Sequence, residues 1–249
     1  MLSQRKRPIL EEWDAFIEKI EKTRSIEKVI GALDDRMKHL GFERSAYWLR
    51  WPNDPKKHPI ILSTYPKNFV DRYVKKDYGA HDMVGKMSTN TNRPFGWREL
   101  ETKYKITRQQ RIIFHDSSSV GLKEGASVPI HGPNLTKATF SVTSNLRKKE
   151  FDELFKYHQH EIHILATSAH ERLMALGLGR TEDIQELTSR ETQIILWVAR
   201  GLTYEEIADK LCIQEDTIKK HMQNIFRKLN ASNRPHAASV AIVHGLITP

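Results

Sequence analysis

The chain has 249 residues and a formal net charge of +9, from 40 Lys+Arg against 31 Asp+Glu. Its 39% hydrophobic and 29% charged residues fit a soluble globular protein and exclude a disordered one. No run nears the roughly 18 apolar residues of a membrane helix, and the basic start Met1–Pro8 leads into a charged helical pattern, not a signal-peptide core. Cys212, the single cysteine, excludes an intrachain disulfide and a multi-cysteine zinc site. The expectation is a cytoplasmic protein of one large domain or two ordinary ones. A basic excess favours nucleic acid as a partner but does not locate the contact. Residues Gln185–Pro249 carry eight Lys/Arg against seven Asp/Glu, a net of only +1.

In chain order, Leu10, Trp13, Ile17 and Ile20, then Ile26, Val29, Ile30, Leu33, Met37 and Leu40, recur at helical spacing. Gly41 stands where a helix-ending glycine belongs. Ser45–Trp51 and Ile60–Tyr65 read as two strands joined by the turn Pro52-Asn53-Asp54-Pro55. Helical spacing returns over Asn68–Tyr78 and over Lys105–Ser118. Ala126–His131 and Ala138–Thr143 bracket the Gly132-Pro133-Asn134 turn as a second hairpin, and Leu146–Leu176 reads as one long helix. Hairpins flanked by helices predict an α+β fold, an α-β-α sandwich on an antiparallel sheet. The predicted division is an α+β domain over 1–176, a linker over 177–186 and an all-α domain of four short helices over 187–249.

The last region is the most explicit. Thr188-x-x-Glu191 and Thr203-x-x-Glu206 are capping boxes, and Gly201 suits the helix end between them. A turn at Cys212–Asp216 precedes a helix near Thr217–Leu229. Ile218, Met222, Ile225 and Leu229 fall on one arc of it, with Lys219, Lys220, Gln223, Asn224 and Arg227 opposite. Thr217–Arg234 holds five Lys/Arg and no acid. A scaffold helix, a tight turn and a helix with a packed face opposite a basic one make a helix-turn-helix. Lys and Gln reach base edges in the major groove, while the Thr217 hydroxyl and the basic residues at the helix end suit phosphates. The alternative is a solvated charged face on an ordinary bundle.

Leu187-Thr188-x-Arg190-Glu191, Gly201, Glu206-Ile207-Ala208, Thr217-Ile218-Lys219-x-His221, Asn224-Ile225, Lys228-Leu229, Asn233-Arg234 and Gly245-Leu246-Ile247 resemble the DNA-binding domain of LuxR-type regulators. The resemblance implies that Lys219, Lys220 and Gln223 read bases and that Thr217, His221, Asn224, Arg227 and Lys228 contact the backbone. It also implies that Asn233–Gly245, with Ala237, Ala238 and Ala241, is a fourth helix used in dimers. One departure is Gln214, where the family has serine. Glutamine is a poor N-cap, and Glu215 and Asp216 partly offset this through the helix dipole.

The upstream region carries Tyr65, Phe69, Tyr73, Asp82 and Trp97, then Gly125-x-x-x-Pro129-x-His131-Gly132 and Ser141. In these residues and spacings it is similar to the autoinducer-binding domain of quorum-sensing regulators. The implied ligand is an acyl-homoserine lactone or related small signal. Asp82 would accept its amide proton through a charge-assisted bond, Tyr73 and Ser141 would donate to the acyl carbonyl, Trp97 and Tyr65 would wall the pocket, and Val128 and Phe140 would enclose the tail. The alternative roles are core aromatics and a helix cap at Asp82. Phe69 stands where the family has a tryptophan that donates to the lactone carbonyl, and Phe has no donor. Met83 replaces the family's proline. These two residues point to an atypical lactone, a non-lactone ligand or a ligand-independent orphan regulator.

Other signals carry less. Asp34-Asp35 lies mid-helix, not after a first strand as a phosphoacceptor would. His158, His160 and His163 belong to the long helix, without an HExxH pattern. His115-Asp116 beside Ser117–Ser119 lacks a GxSxG elbow. The reading is a ligand-responsive dimeric transcriptional regulator, not an enzyme, with no catalytic residue, metal or cofactor beyond its small-molecule signal. Its expected partners are double-stranded DNA at a near-palindromic promoter site, a second copy of the chain and RNA polymerase, with no membrane. The long helix and 233–245 are the expected dimer contacts.

Overall fold

The computed structural model describes residues 7–51, 58–132, 136–179 and 184–249, with backbone alone for residues 7–10. The start Met1–Lys6, the Pro52–Pro55 turn, Pro133-Asn134 of the second turn and Arg180–Asp183 of the expected linker lie outside these residues. The described residues fall into two compact units, 7–179 and 184–249.

The first unit opens with two helices, α1 (Arg7–Glu21) and α2 (Ile26–His39). Val29, Leu33 and Met37 form the buried stripe of α2, and Gly41 takes φ +99 just beyond its end, a conformation that glycine adopts without a Cβ clash. Strands β1 (Arg44–Arg50) and β2 (Ile60–Ser63) form the first hairpin. Then come α3 (Lys67–Lys75), a 3-10 turn at Tyr78–Ala80, α4 (Met83–Asn90), β3 (Phe95–Gly96), α5 (Trp97–Lys103) and α6 (Arg108–Ser119). Strands β4 (Glu124–His131) and β5 (Lys137–Ser144) make the second hairpin, and α7 (Lys148–Ala175) is the long helix.

The five strands lie antiparallel in the order β2-β1-β5-β4-β3. Helices α2 and α7 pack on one face with α1 against α7, and α4 and α5 pack on the sheet as well. This is the expected α+β sandwich. Buried side chains form two clusters in this unit. One joins Leu33, Met37, Tyr47, Val128, Phe140, Leu165 and Leu173. The other joins Trp48, Tyr65, Phe69, Tyr73, Trp97 and Ile113. Successive strand residues point to opposite faces, so Tyr47 and Trp48 enter different clusters.

The structure moves several expected boundaries. The Asn68–Tyr78 helix stops at Lys75, and Asp77 at φ +47 turns the chain into the 3-10 segment. The Lys105–Ser118 helix begins at Arg108 because Thr107 caps it. Thr107 Oγ1 accepts from the Gln110 amide at 3.3 Å, and the Gln110 side chain accepts from the Thr107 amide at 2.8 Å. Three elements were not foreseen, α4, the edge strand β3 and α5. Val128 and Phe140 were expected around a ligand tail, but they are paired in register and belong to the cluster under α7. The alternation of β5 places Thr139 and Ser141 on the other face.

The second unit is all helical, with α8 (Ser189–Ala199), α9 (Tyr204–Leu211), α10 (Glu215–Lys228) and α11 (Arg234–Val243). Ile194, Ile195, Ile207, Ile218, Met222, Ile225, Ala237 and Ala241 form its core. Both expected capping boxes are present, at Thr188/Glu191 and Thr203/Glu206.

Candidate functional site

The second cluster of the first unit encloses a cavity. Its walls include Trp48, Tyr65, Phe69, Tyr73, Asp82, Trp97 and Ser141, together with Arg50, Val84, Ile113, Phe114, Ser117 and Thr139. All six upstream residues singled out from the sequence therefore converge here, although they come from separate segments. Strand β1 sends in Trp48 and Arg50, α3 sends in Phe69 and Tyr73 one turn apart, and β5 sends in Thr139 and Ser141 two residues apart.

The polar groups are linked in two chains. Tyr73 donates its hydroxyl to Asp82 Oδ2 at 2.7 Å, while Asp82 Oδ1 accepts the Val84 amide at 2.9 Å. Asp82 is thus the N-cap of α4 and also a wall of the cavity. The cap bond fixes the carboxylate, and the open lone pairs face Tyr73 and the cavity. Burial lifts the Tyr73 hydroxyl well above its ordinary pKa, and the neighbouring Asp82 charge adds to the lift. Tyr73 therefore stays a protonated donor.

On the opposite wall, Trp97 Nε1 donates to Ser127 Oγ at 2.8 Å, and Ser127 Oγ lies 2.8 Å from Ser141 Oγ. Trp97 packs so closely on β4 that a Cβ on Gly125 would sit 2.4 Å from its ring. Glycine at 125 is what lets the indole lie there. The Tyr65 hydroxyl lies beside Ser141 in full burial, yet among the described residues it has no hydrogen-bond partner of good geometry. Burial raises its pKa strongly, so it too remains a donor. A buried hydroxyl without a partner costs about 1–3 kcal/mol, and an acceptor entering the cavity would remove that cost.

The free space is about 50 Å³. Ligand pockets usually hold roughly 300–1,000 Å³, so side chains must move to admit anything larger than water. Sequence reasoning missed Trp48, Arg50, Ile113, Ser117, Thr139 and Ser127. Ser127 had a findable signal, since a serine inside Ala126–Ile130 stands opposite Ser141 once the hairpin register is drawn. Arg50 gave none, because a charged strand end beside a turn reads as solvated.

In the second unit, α9, the turn and α10 form the helix-turn-helix. The helix α10 starts at Glu215, earlier than expected, because Cys212 at φ +51 completes the reversal and Gln214 stands at the N-cap. Gln214 makes no side-chain cap bond. Ile218, Met222 and Ile225 are buried beneath it. Lys219, Lys220, Gln223, Asn224 and Arg227 are exposed, while Thr217 and His221 are half-buried at the edges.

Two assigned residues are already engaged. Lys219 Nζ pairs with Glu215 Oε1 at 3.1 Å and Asp216 Oδ1 at 3.2 Å, one turn back on its own helix. Exposed pairs of this kind exchange readily and contribute little. Lys228 is different. Its Nζ donates to Glu191 Oε2 at 2.7 Å and to the Glu186 carbonyl at 3.1 Å, with the two side chains only 16% and 4% exposed. Burial opposes ionisation of Glu191, but Lys228 and the Thr188 cap bonds outweigh it and lower the carboxyl pKa. These bonds make Lys228 a clamp between α8 and α10. In α11, Ala237 and Ala241 are fully buried in the unit's own core, so of the three expected contact alanines only Ala238 is partly outward.

Comparison with known proteins decides the family. The autoinducer binding domain family matches residues 25–173, and the luxR family of bacterial regulatory proteins matches residues 185–241. The chain belongs to the LuxR family. It is a transcriptional regulator that joins an autoinducer-binding domain to a LuxR-type helix-turn-helix. It is 31% identical over 187 residues to the quorum sensing-dependent transcriptional regulator RpaR of Rhodopseudomonas palustris, covering 75% of this chain and 74% of that one. It is 29% identical over 233 residues to the transcriptional activator protein ExpR of Dickeya dadantii, covering 87% and 90%. In fold it matches Escherichia coli SdiA with a TM-score of 0.83 and 22% identity, over 97% of this chain and 100% of that one. Among the described residues, no helix of this LuxR-family member is long and apolar enough to cross a membrane.

Proposed function

We propose that the cavity of the first unit binds an acyl-homoserine lactone or a closely related N-acyl signal, and that occupancy controls DNA binding by the second unit. The observation that carries this reading is the buried Tyr65 hydroxyl, a donor with no well-oriented partner among the described residues, in a cavity that also holds the Tyr73–Asp82 pair. An N-acyl ligand has the complementary groups. Its amide N–H suits Asp82, and its carbonyl oxygens suit Tyr65, Tyr73 and Ser141. Trp97 and Phe69 supply apolar walls.

The DNA contact is assigned to α10. Lys219, Lys220 and Gln223 are its exposed base-reading residues, and Thr217, His221, Asn224 and Arg227 its backbone contacts, with Lys228 holding the helix in place. Two copies would set two such helices in successive major grooves of a near-palindromic site. Tyr157 and Ile164, seven residues apart on α7 and 75% and 42% exposed, favour that helix as a dimer contact. RNA polymerase is the further partner of this role, and the cytoplasm its place.

The test is thermal unfolding of the full chain with lactones of short to long acyl chain. Saturating ligand raises stability by about 2.7 kcal/mol at a hundredfold excess over Kd, which shifts the first unit upward by several degrees. No shift with any lactone, alongside intact sequence-specific DNA binding, supports the ligand-independent reading instead. On the DNA side, Lys219→Ala relaxes sequence preference, with about 1–3 kcal/mol of discrimination lost at one base position. Equal losses on specific and random DNA in a binding titration would remove Lys219 from the base-reading set.

A further inference from the structure

We infer that Arg50 is a ligand-contacting, specificity-determining residue, the cation that donates to the head-group oxygen of a neutral N-acyl ligand. This rests on the cavity being the ligand site. The last residue of β1, Arg50 turns its side chain inward. Its guanidinium lies 5.3 Å over the Trp48 ring, donates through Nη2 to the Tyr73 hydroxyl at 3.4 Å, and stands 3.8 Å from Asp82 Oδ2. Nη1 rests so near the α4 backbone that a Cβ on Gly85 would meet it at 2.0 Å. Gly85 is therefore the notch that admits the guanidinium. The side chain is only 21% exposed.

Donor accounting points the same way. An arginine offers five N–H groups, and among the described residues Arg50 makes one long hydrogen bond. Of the other cavity donors, Trp97 is committed to Ser127 and Tyr73 to Asp82, and Tyr65 is the one assigned above to a carbonyl oxygen. Phe69 brings no donor at all. A ligand amide bonded to Asp82 brings its neighbouring head-group oxygen within the reach of Arg50. Charge then selects the class of ligand. Arg50 and Asp82 balance each other, so a neutral lactone leaves the buried site neutral, whereas its ring-opened carboxylate adds an uncompensated negative charge beside Asp82. Sites of this kind bind the neutral form.

The experiment is isothermal titration of the full chain with acyl-homoserine lactones of several chain lengths and with their ring-opened acids. The wild type is expected to bind a lactone at least about tenfold more tightly than its acid. Arg50→Met weakens the lactone by about 10- to 100-fold, the range for one charge-assisted hydrogen bond. Phe69→Trp on the Arg50→Met background restores most of that loss, because the indole returns a donor to a cavity the shorter side chain has widened. Arg50→Lys, which keeps the charge with fewer donors, gives an intermediate loss and serves should Arg50→Met fail to fold. Unchanged or tighter lactone binding by folded Arg50→Met overturns the inference, since Arg50 would then only occupy space. A loss that Phe69→Trp does not restore overturns it as well, assigning Arg50 to positioning Asp82 alone. Equal or tighter binding of the acid refutes the neutral class. A wild type that binds none of the lactones defeats the pocket reading, and the inference with it.

Discussion

The two units are built on different principles. In the second, the signals that start and orient the helices lie close in sequence, Thr188 with Glu191, Thr203 with Glu206, and an apolar stripe at Ile218, Met222 and Ile225, with Glu191 to Lys228 as a longer tie from α8 to α10. In the first, the cavity is assembled from β1, α3, α4, α5, α6 and β5, and its decisive contacts span Trp97 to Ser127 and Tyr73 to Asp82. Local signals specify an interface that must be presented to DNA as a rigid surface. Long-range convergence specifies a pocket that must open. The second unit should therefore fail at single buried contacts, and the first by changes in the balance of its buried polar groups.

The largest expected effect tests the first half of that contrast. Glu191 closes a capping box and also receives Lys228, so it couples α8 to α10. Removing one member of a buried, hydrogen-bonded pair costs about 3–5 kcal/mol. Glu191→Ala should unfold the second unit at markedly lower denaturant concentration while leaving the first unit's transition in place, as two-probe denaturation would read. A loss below about 1 kcal/mol would mean that the pair is as weak as an exposed one. Lys228→Ala should behave alike, and its loss of DNA binding should follow the loss of folded second unit rather than a flatter salt dependence.

The next effect separates the units by pH. In the first unit, the Tyr47 hydroxyl and His170 Nδ1 lie 2.7 Å apart in full burial, and burial lowers the His170 pKa to about 4. The unfolded chain binds this proton near 6.5. Between those values the unfolded state holds more protons, so stability falls as pH drops from about 6.5 toward 4, by on the order of 3 kcal/mol. Glu191 acts in a lower window. Its folded pKa is lowered, so its contribution is present above the ordinary carboxylate value and lost only as pH falls through the folded one. Acid titration should thus weaken the first unit before the second. His170→Gln should flatten the first unit's slope above pH 4, and an unchanged slope would assign the acid sensitivity elsewhere.

How far each unit could be read from the sequence follows the same division. The four helices of the second unit were legible because each carries its own start signal and apolar period. The sandwich and both hairpins were legible too, from turn residues between short apolar runs. What escaped was phase and weak elements. In β5 Ala138, Phe140 and Val142 alternate with Thr139, Ser141 and Thr143, which separates two faces, but every residue from Glu124 to Ile130 and from Ala138 to Ser144 is buried, so the alternation alone did not say which face holds the cavity. Helix α4 contains Gly85, Ser88, Thr89 and Asn90, poor helix formers, and is held by the Asp82 cap and by packing. The roles of Arg50 and Lys228 depend on partners 32 and 37 residues away. Arg50 drew no expectation from the sequence, and Lys228 was assigned to the DNA backbone by the family resemblance.

The smallest effect probes the one place where the second unit's local logic is incomplete. Every other helix start there has a side-chain cap, from Thr188, Thr203 or Asn233, but Gln214 leaves the α10 amides without one. Gln214 has the extended φ of −74 and ψ of 145 that an N-cap requires, so the backbone is ready for a shorter oxygen. Gln214→Ser should raise the second unit's stability by about 0.5–1 kcal/mol and slow amide exchange in the first turn of α10. The gain should be confined to that turn, because Glu215 and Asp216 already complement the helix dipole. If the variant is no more stable, and exchange at Asp216 and Thr217 is unchanged, the start of the recognition helix is set by packing of Ile218 rather than by its cap.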